Sequence, residues 1–99
     1  MIDQKIIRDA ADLYGCTVAD LKSPKRHRKY ADARAVVCYI LCQMRGWTYS
    51  EVGRTLHRTH STVIYFNRRA DEWLKLPILN PRGACAIKEL VKRYNTTEQ

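Results

Sequence analysis

The sequence of 99 residues predicts a small, soluble, all-α domain of about six helices with a helix-turn-helix at its centre. Three observations predict this fold class. Apolar residues recur at spacings of three and four, helix-capping residues precede these stretches, and polar and apolar residues nowhere alternate long enough for a β-strand. At this length we expect a single domain over residues 1–99, with a core over 3–76 and an additional C-terminal helix over about 81–94.

The first two helices are expected before the first proline. An apolar stripe predicts a helix over about residues 4–14, capped by Asp3. A one-turn helix follows, with Thr17 as its cap and Asp20 three residues further on. Pro24 then breaks the chain, because proline disfavours helical geometry in the residue before it.

A long helix and a short one are expected next. Valine, isoleucine, leucine and methionine repeat at three and four residues over about 31–45, which predicts a helix with a core-facing stripe. The short helix covers residues 49 to about 56. Its start carries a capping box, in which Thr48 and Glu51 exchange hydrogen bonds with each other's backbone amides.

Two further helices complete the predicted fold. A turn at 57–59 leads to a helix over about 60–74, with Thr59 as its N-cap and a polar, basic outer face. Asn80 caps the last helix, and proline stands at its first position. Residues 48–73 thus form two helices around a tight turn, which is typical of a helix-turn-helix that reads base edges in the major groove.

The formal net charge of +8 is concentrated in two stretches. The basic segment, residues 22–30, holds five cations and no acid, and it is expected to form a loop before the long helix. Four more cations and no acid lie between Val52 and Ala70. A basic surface can simply aid solubility, but two acid-free stretches in one small domain favour a polyanionic partner such as DNA.

Other classes of protein fit the sequence poorly. No stretch approaches the roughly 18 apolar residues of a membrane span, and the N-terminus lacks the apolar region of a secretory signal, so the cytoplasm is the expected compartment. The four cysteines are expected to be reduced, partly buried thiols, and neither a metal nor another cofactor is expected because the ligand spacing of a zinc site is missing. An enzyme is not expected either, since no motif pairs a nucleophile with a base.

Several short motifs occur in a distinctive order. They are Leu13-Tyr14-Gly15, Val18-Ala19-Asp20-Leu21, the basic segment, Glu51-Val52-Gly53 and His60-Ser61-Thr62-Val63. The last tetrapeptide, which follows a turn that contains an arginine, is the most specific of these motifs. The basic segment before a long helix is the second most specific. In this order and spacing, over about residues 6–76, the chain resembles the C-terminal origin-binding domain of the bacterial replication initiator DnaA.

The resemblance implies that the tetrapeptide begins the recognition helix. His60, Ser61 and Thr62 would then contact bases and nearby phosphate in the major groove. Arg68 and Arg69 would hold the DNA backbone beyond the recognition helix.

The resemblance also implies that the basic segment reaches the minor groove. Arg26 would enter that groove, with Lys25 and Arg28 on the backbone. Arg34, expected in the first turn of its helix, would contact phosphate. The expected DNA-binding residues are therefore Lys25, Arg26, Arg28, Arg34, Arg58, Thr59, His60, Ser61, Thr62, Arg68 and Arg69.

The chain departs from the family pattern in its turn. The family usually has Gly-Gly-Arg-Asp there, whereas this turn reads His57-Arg58-Thr59, is one residue shorter and places threonine where aspartate is expected. A threonine hydroxyl can still cap the helix, but it cannot accept from cytosine as a carboxylate can. These residues also lack a Gly-rich phosphate loop with Lys-Ser/Thr, so the ATPase domain of an initiator is not expected among them.

Three function classes remain open. The favoured one is sequence-specific binding of double-stranded DNA, in replication initiation or its regulation or in transcription regulation. The alternatives are a nonspecific RNA or DNA binder, and a protein-interaction module whose partner docks on the last helix. Exposed aromatic residues interleaved with cations, which are usual in single-strand binders, are few here.

Overall fold

Six α-helices build the computed structural model, which describes residues 2–95. In chain order they are α1 (Ile2–Leu13), α2 (Val18–Lys22), α3 (Arg28–Gln43), α4 (Tyr49–Leu56), α5 (His60–Lys75) and α6 (Pro81–Asn95), with a 3₁₀ turn at Pro77–Leu79. Within residues 2–95 there is no β-strand. The predicted all-α fold class is therefore confirmed.

Helix α3 lies at the centre of the molecule and contacts each of the other five helices. Its side chains Val36, Val37, Ile40 and Leu41 are fully buried. Removing one such side chain from water contributes about 1.5–3 kcal/mol, so this helix forms the core on which the others pack.

Helix α1 has already begun at Ile2, which corrects the expectation that Asp3 caps it. Asp3 lies in the first turn, and its carboxylate accepts from Arg45 Nε at 2.7 Å and from Trp47 Nε1 at 3.2 Å. Both partners lie in the loop between α3 and α4, so a tertiary contact replaces the local cap.

Helix α3 begins at Arg28, three residues before the expected start at Ala31. Proline restricts only the residue before it. Ser23 is accordingly extended, with φ −80° and ψ 167°, while the residues after Pro24 are free to start a helix. The basic segment is therefore half loop and half helix, since Arg28 and Lys29 lie in the first turn of α3.

Two predicted capping boxes are present. Thr17 Oγ1 accepts from the amide of Asp20 at 3.1 Å, and the Asp20 carboxylate accepts from the amide of Thr17 at 3.0 Å. Thr48 and Glu51 make the equivalent pair at 3.1 and 2.8 Å. These bonds satisfy amides that a helix start otherwise leaves unpaired, and they fix where α2 and α4 begin.

Helix α6 packs against α1, α3 and α5. Asn80 Oδ1 accepts from the amide of Gly83 at 2.9 Å, as expected of a helix cap, and Ile87 and Leu90 are fully buried. A Cβ atom at Gly83 would lie 2.5 Å from the ring of Trp73, so glycine allows α6 to approach α5 closely.

The cysteines carry free thiols; Cys16 and Cys38 are buried and Cys85 is exposed. Burial raises the pKa of the Cys38 thiol well above its ordinary value. In the part of the chain that the structure describes, three or more histidine, cysteine or acidic side chains nowhere cluster as a metal site would require. None of the helices there combines the length and apolar character needed to cross a membrane.

Candidate nucleic-acid interface

Helices α4 and α5 form a helix-turn-helix around residues 57–59. His57 adopts the left-handed conformation, with φ 57° and ψ 46°, and so ends α4. The turn lies directly against α4, because a Cβ atom at Gly53 would come within 2.6 Å of the Arg58 carbonyl oxygen. A side chain at position 53 would therefore push the turn away, which makes glycine the residue that fits there.

Thr59 is the N-cap of α5, as the sequence predicts. Its Oγ1 accepts from the amide of Thr62 at 3.2 Å and lies 2.9 Å from the Thr62 hydroxyl oxygen. Both hydroxyl groups are thus engaged with each other at the start of the helix.

The first turn of α5 presents His60 and Ser61 to solvent. The ring of Tyr49, at the start of α4, meets the His60 ring edge-to-face with the centroids 5.5 Å apart. Helix α4 therefore orients His60, while Ser61 stands free on the outer surface.

Further along α5, Tyr65, Arg68 and Arg69 are exposed, as the helical period predicts for its outer face. The Arg69 guanidinium lies 6.0 Å from the centroid of the Tyr65 ring, within cation–π range. Among residues 2–95, the Arg26 and Arg68 side chains have neither a hydrogen bond nor an ion pair, so both are available to an external anion.

Two arginines converge on one backbone carbonyl beneath the basic segment. The carbonyl of Ser23 accepts from Arg34 Nη2 at 2.9 Å and from Arg58 Nη2 at 2.6 Å. Arg34 also donates through Nε to the carbonyl of Leu21 at 2.8 Å and through Nη2 to that of Asp20 at 3.1 Å. We call Arg34 and Arg58, joined at the Ser23 carbonyl, the arginine pair.

The expected position of Arg34 in the first turn of its helix needs correction. Since α3 begins at Arg28, Arg34 lies in the second turn instead of the first, and its side chain is only 3% exposed. Burial, followed by the charge of Arg58, lowers the pKa of the Arg34 guanidinium below its ordinary value. With three carbonyl acceptors inside the protein, Arg34 supports the basic segment from below.

The basic segment and α5 face each other across a cavity of about 470 Å³, which we call the loop-side cleft. It is lined by Pro24, Lys25, Arg26, Ala31, Arg34, Arg58, Thr62, Tyr65 and Phe66. Four of these residues are cationic, and none of the described residues that line the cleft is acidic. A cleft of this composition concentrates positive potential where a phosphate chain can lie.

A second groove, of about 170 Å³, shares Tyr65 and Phe66 with the loop-side cleft and extends to Arg28 and Arg69. The structure therefore brings seven of the predicted residues to one flank of α5. These seven are Lys25, Arg26, Arg28, Arg34, Arg58, Thr62 and Arg69.

Other predicted residues lie on the opposite flank of α5. His60 lines a groove of about 370 Å³ together with Trp47 and Tyr49. Arg68 lines another groove, of about 290 Å³, with residues of α3 and α4. The predicted residues thus border α5 on both sides instead of forming one pocket.

Lys25 of the basic segment is ion-paired with Asp20 of α2. Its Nζ lies 2.9 Å from Asp20 Oδ1, and the lysine side chain is 55% exposed. An exposed pair of this kind is weak and exchanges readily with an external anion.

Sequence reasoning missed the role of the arginine pair. The available signal was the position of Arg34 between Ala33 and Ala35, in the most continuously apolar stretch of α3, where a charged side chain is expected to need internal partners. The partners themselves lie 11 to 14 residues earlier in the chain and are not visible in a local pattern.

A family profile and several known proteins match this chain, and all of them are described as bacterial DnaA. A family profile described as the bacterial DnaA protein helix-turn-helix matches residues 4–69. A chromosomal replication initiator protein DnaA from Ruegeria pomeroyi is 36% identical over 74 residues, which are 74% of this chain and 16% of that protein. The corresponding protein from Pelobacter propionicus is 34% identical over 73 residues, 73% of this chain and 16% of the relative.

A longer alignment includes the last helix. The chromosomal replication initiator protein DnaA 1 from Chlamydia muridarum is 28% identical over 94 residues, 95% of this chain and 21% of that protein. The family profile ends before α6, whereas this alignment extends through it. The chain spans between 16% and 21% of the length of these relatives.

Proposed function

Because this chain belongs to the family of bacterial DnaA helix-turn-helix domains, we propose that it binds double-stranded DNA sequence-specifically through α5 and the basic segment. One observation carries the proposal. Thr62, in the first turn of α5, and the basic segment border the same cation-lined cleft, and Arg58 connects the two elements through the Ser23 carbonyl.

In this arrangement, α5 enters the major groove with its N-terminal turn against the bases. The groove is about 12 Å wide, admits a helix and displays a different pattern of donors and acceptors for each base pair. His60 and Ser61 carry both donor and acceptor atoms at the exposed start of α5 and are the residues that read bases. Thr62 borders the cleft side of the same turn.

The basic segment reads the adjacent minor groove. Minor and major grooves are separated by one sugar-phosphate strand, and the loop-side cleft is where that strand lies in our proposal. Arg26 reaches into the minor groove, while Lys25 and Arg28 hold phosphates on either side of it. The start of α3 favours an anion as well, because Arg28 and Lys29 occupy its first turn without an acid and, among the described residues, its amides receive no side-chain cap.

Arg68 and Arg69 lie two turns further along α5, where the helix leaves the groove floor. They line grooves on opposite flanks of α5. We therefore assign them to the two phosphate strands that border the major groove, where they add affinity without reading sequence.

The cellular role is part of the proposal. The relatives are named chromosomal replication initiator proteins, and this chain covers only a fraction of their length. We infer a binding function without catalysis, acting on DNA in the cytoplasm during replication initiation, its regulation or transcription regulation. Docking of a protein partner on α6 stays a prediction.

Selection of bound duplexes from a random library, followed by affinity measurements at several salt concentrations, tests the proposal. We expect an enriched sequence motif and much weaker binding to unrelated duplexes and to single strands. Replacing Lys25, Arg26 and Arg28 together with alanine should weaken binding to every duplex and flatten the plot of log affinity against log salt by about one for each lost phosphate contact.

Three outcomes would contradict the proposal. Equal affinity for duplex and single strand, with no motif, would indicate a nonspecific nucleic-acid binder. An absence of binding at low salt would indicate a protein-interaction module. An unchanged salt slope in the triple variant would show that the basic segment does not touch DNA.

A further inference from the structure

We propose that Arg58 and Arg34 are positioning residues for duplex recognition, because their shared contact with the Ser23 carbonyl holds the basic segment at a fixed distance from α5. The two elements then match the spacing of adjacent grooves before DNA is bound. This inference rests on the proposed function and adds to it a role for two residues whose guanidinium groups donate to backbone carbonyls of the protein.

Arg58 joins the two elements directly. It belongs to the turn that leads into α5, and its Nη1 donates to the carbonyls of Leu56 at 3.2 Å and His57 at 3.1 Å. Its Nη2 reaches the carbonyl of Ser23, 35 residues earlier, at 2.6 Å. One planar side chain therefore connects the end of α4 with the start of the basic segment.

Arg34 fixes the same carbonyl from below. Its three hydrogen bonds end on the carbonyls of Asp20, Leu21 and Ser23, which are three of the four residues before Pro24. Several backbone carbonyls can share a guanidinium because its five donors point outward in one rigid plane. Arg34 thereby sets the direction in which the chain leaves α2.

Two other side-chain hydrogen bonds at the start of the basic segment lead back to α2. Ser23 Oγ donates to the carbonyl of Asp20 at 2.6 Å, and Lys25 Nζ donates to the Asp20 carboxylate at 2.9 Å. These bonds would hold the segment on α2 without setting its distance from α5. Within residues 2–95, one side-chain hydrogen bond joins the basic segment to the helix-turn-helix. It is the bond that Arg58 Nη2 donates to the carbonyl of Ser23.

Fixing the segment before binding raises affinity. A loop that is mobile in the free protein loses conformational freedom when it enters the minor groove, and that loss opposes association. A loop already held in place binds without this cost. The arginine pair should therefore matter most for interactions that need both grooves at once.

Arg58→Lys is the test variant, because lysine keeps the positive charge but lacks the planar fork. We expect the whole chain with Arg58→Lys to bind its selected duplex about tenfold more weakly than the parent. Arg54→Lys is the matched control: it makes the same exchange on an exposed side chain of α4 to which no DNA contact is assigned, and it should change affinity by about twofold or less.

A double-substitution cycle separates positioning from direct contact. Arg26→Ala should cost much less affinity in the Arg58→Lys background than in the parent, because a displaced segment no longer places Arg26 in the groove. Independent, additive losses would show that Arg58 contacts phosphate by itself, and would overturn the inference. Parent-like binding by Arg58→Lys would overturn it as well.

A measurement on the protein without DNA separates a loss of positioning in the basic segment from a general change in folding. Backbone ¹⁵N order parameters should fall for residues 24–27 in Arg58→Lys while those of α5 stay unchanged, and unchanged values in residues 24–27 would contradict the inference. If the parent itself fails to bind duplex DNA, the proposed function is wrong; if the parent binds and Arg58→Lys binds equally well, this inference alone is wrong.

Discussion

At the scale of single residues, the hydroxyl of Thr59 is engaged before any DNA arrives. It caps α5 by accepting from the amide of Thr62 at 3.2 Å and lies 2.9 Å from the Thr62 hydroxyl oxygen. A carboxylate at this position would accept from a cytosine amino group and be repelled by the acceptors of guanine or thymine. We therefore expect relaxed base preference at the base pair that faces Thr59.

Two substitutions at Thr59 test its role. Thr59→Val should lower the free energy of unfolding by about 1 kcal/mol, because valine cannot cap the helix. Thr59→Asp should keep the cap and increase the preference for cytosine. Chemical denaturation and binding to four duplexes that differ at that base pair give both quantities. Unchanged stability of the valine variant, together with strong base selection by the parent, would refute both expectations.

His57 is the single described residue other than glycine with a positive φ, 57°. The left-handed conformation costs an ordinary residue roughly 1–2 kcal/mol, whereas glycine adopts it freely. His57→Gly should raise the free energy of unfolding by up to about 1 kcal/mol, less than the full strain because glycine also loosens the unfolded chain. Denaturation midpoints measure this effect.

Gly46 provides the control for His57. It has a φ of +71° with open space around its Cβ position, so Gly46→Ala should change stability in the opposite direction. A loss of stability in His57→Gly would mean that the imidazole makes contacts that outweigh the strain.

At the scale of elements, the packing of the turn on α4 depends on Gly53. Alanine is normally the better helix residue by about 1 kcal/mol. Here its Cβ atom would meet the Arg58 carbonyl oxygen at 2.6 Å, and backbone cannot move aside as a flexible side chain can. We expect Gly53→Ala to lower the free energy of unfolding by about 1 kcal/mol or more.

The neighbouring Arg54 is the matched control for Gly53. It is exposed on the same helix, so Arg54→Ala should change stability by no more than about 0.5 kcal/mol. A Gly53→Ala variant that is more stable than the parent would show that the turn can move away from α4.

The capping box of α4 makes stability depend on pH. The hydrogen bond from the Thr48 amide is the main cause that lowers the pKa of Glu51 below its ordinary value. A lowered pKa in the folded state means that the contribution is present above the ordinary carboxyl range and is lost as pH falls through the lowered value. Glu51→Gln keeps an acceptor but cannot titrate, so its stability should fall less over this acid range. Identical acid profiles of the two proteins would contradict this expectation.

The elements that the sequence predicts best are those with local determinants. The start of α4 and the cap of α5 follow from Thr48, Glu51 and Thr59, which act within three residues. The predicted starts of α1 and α3 were wrong by a few residues. For α1 the reason is that Asp3 bonds to partners more than 40 residues away instead of capping its helix. The burial of Arg34 is likewise a tertiary effect, because its three acceptors meet only in the folded chain.

At the scale of the whole molecule, the fold brings the two acid-free stretches of the sequence together. The basic segment and α5 are separated by 29 residues of the chain, yet they form the walls of one cleft of about 470 Å³. The charge pattern predicts a polyanionic partner. The division of the predicted residues between two flanks of α5 required the structure, because it depends on how α3 and α4 pack beside that helix.

Affinities of three variants for the selected duplex and for its single-base changes test the central claim most directly. His60→Ala and Ser61→Ala should each reduce discrimination by roughly 1–3 kcal/mol at one or two base positions, because these residues read the major groove. Arg69→Ala should weaken binding to all duplexes alike, since it holds phosphate. Altered base preference in Arg69→Ala, with unchanged preference in His60→Ala and Ser61→Ala, would contradict the proposed placement of α5 on DNA.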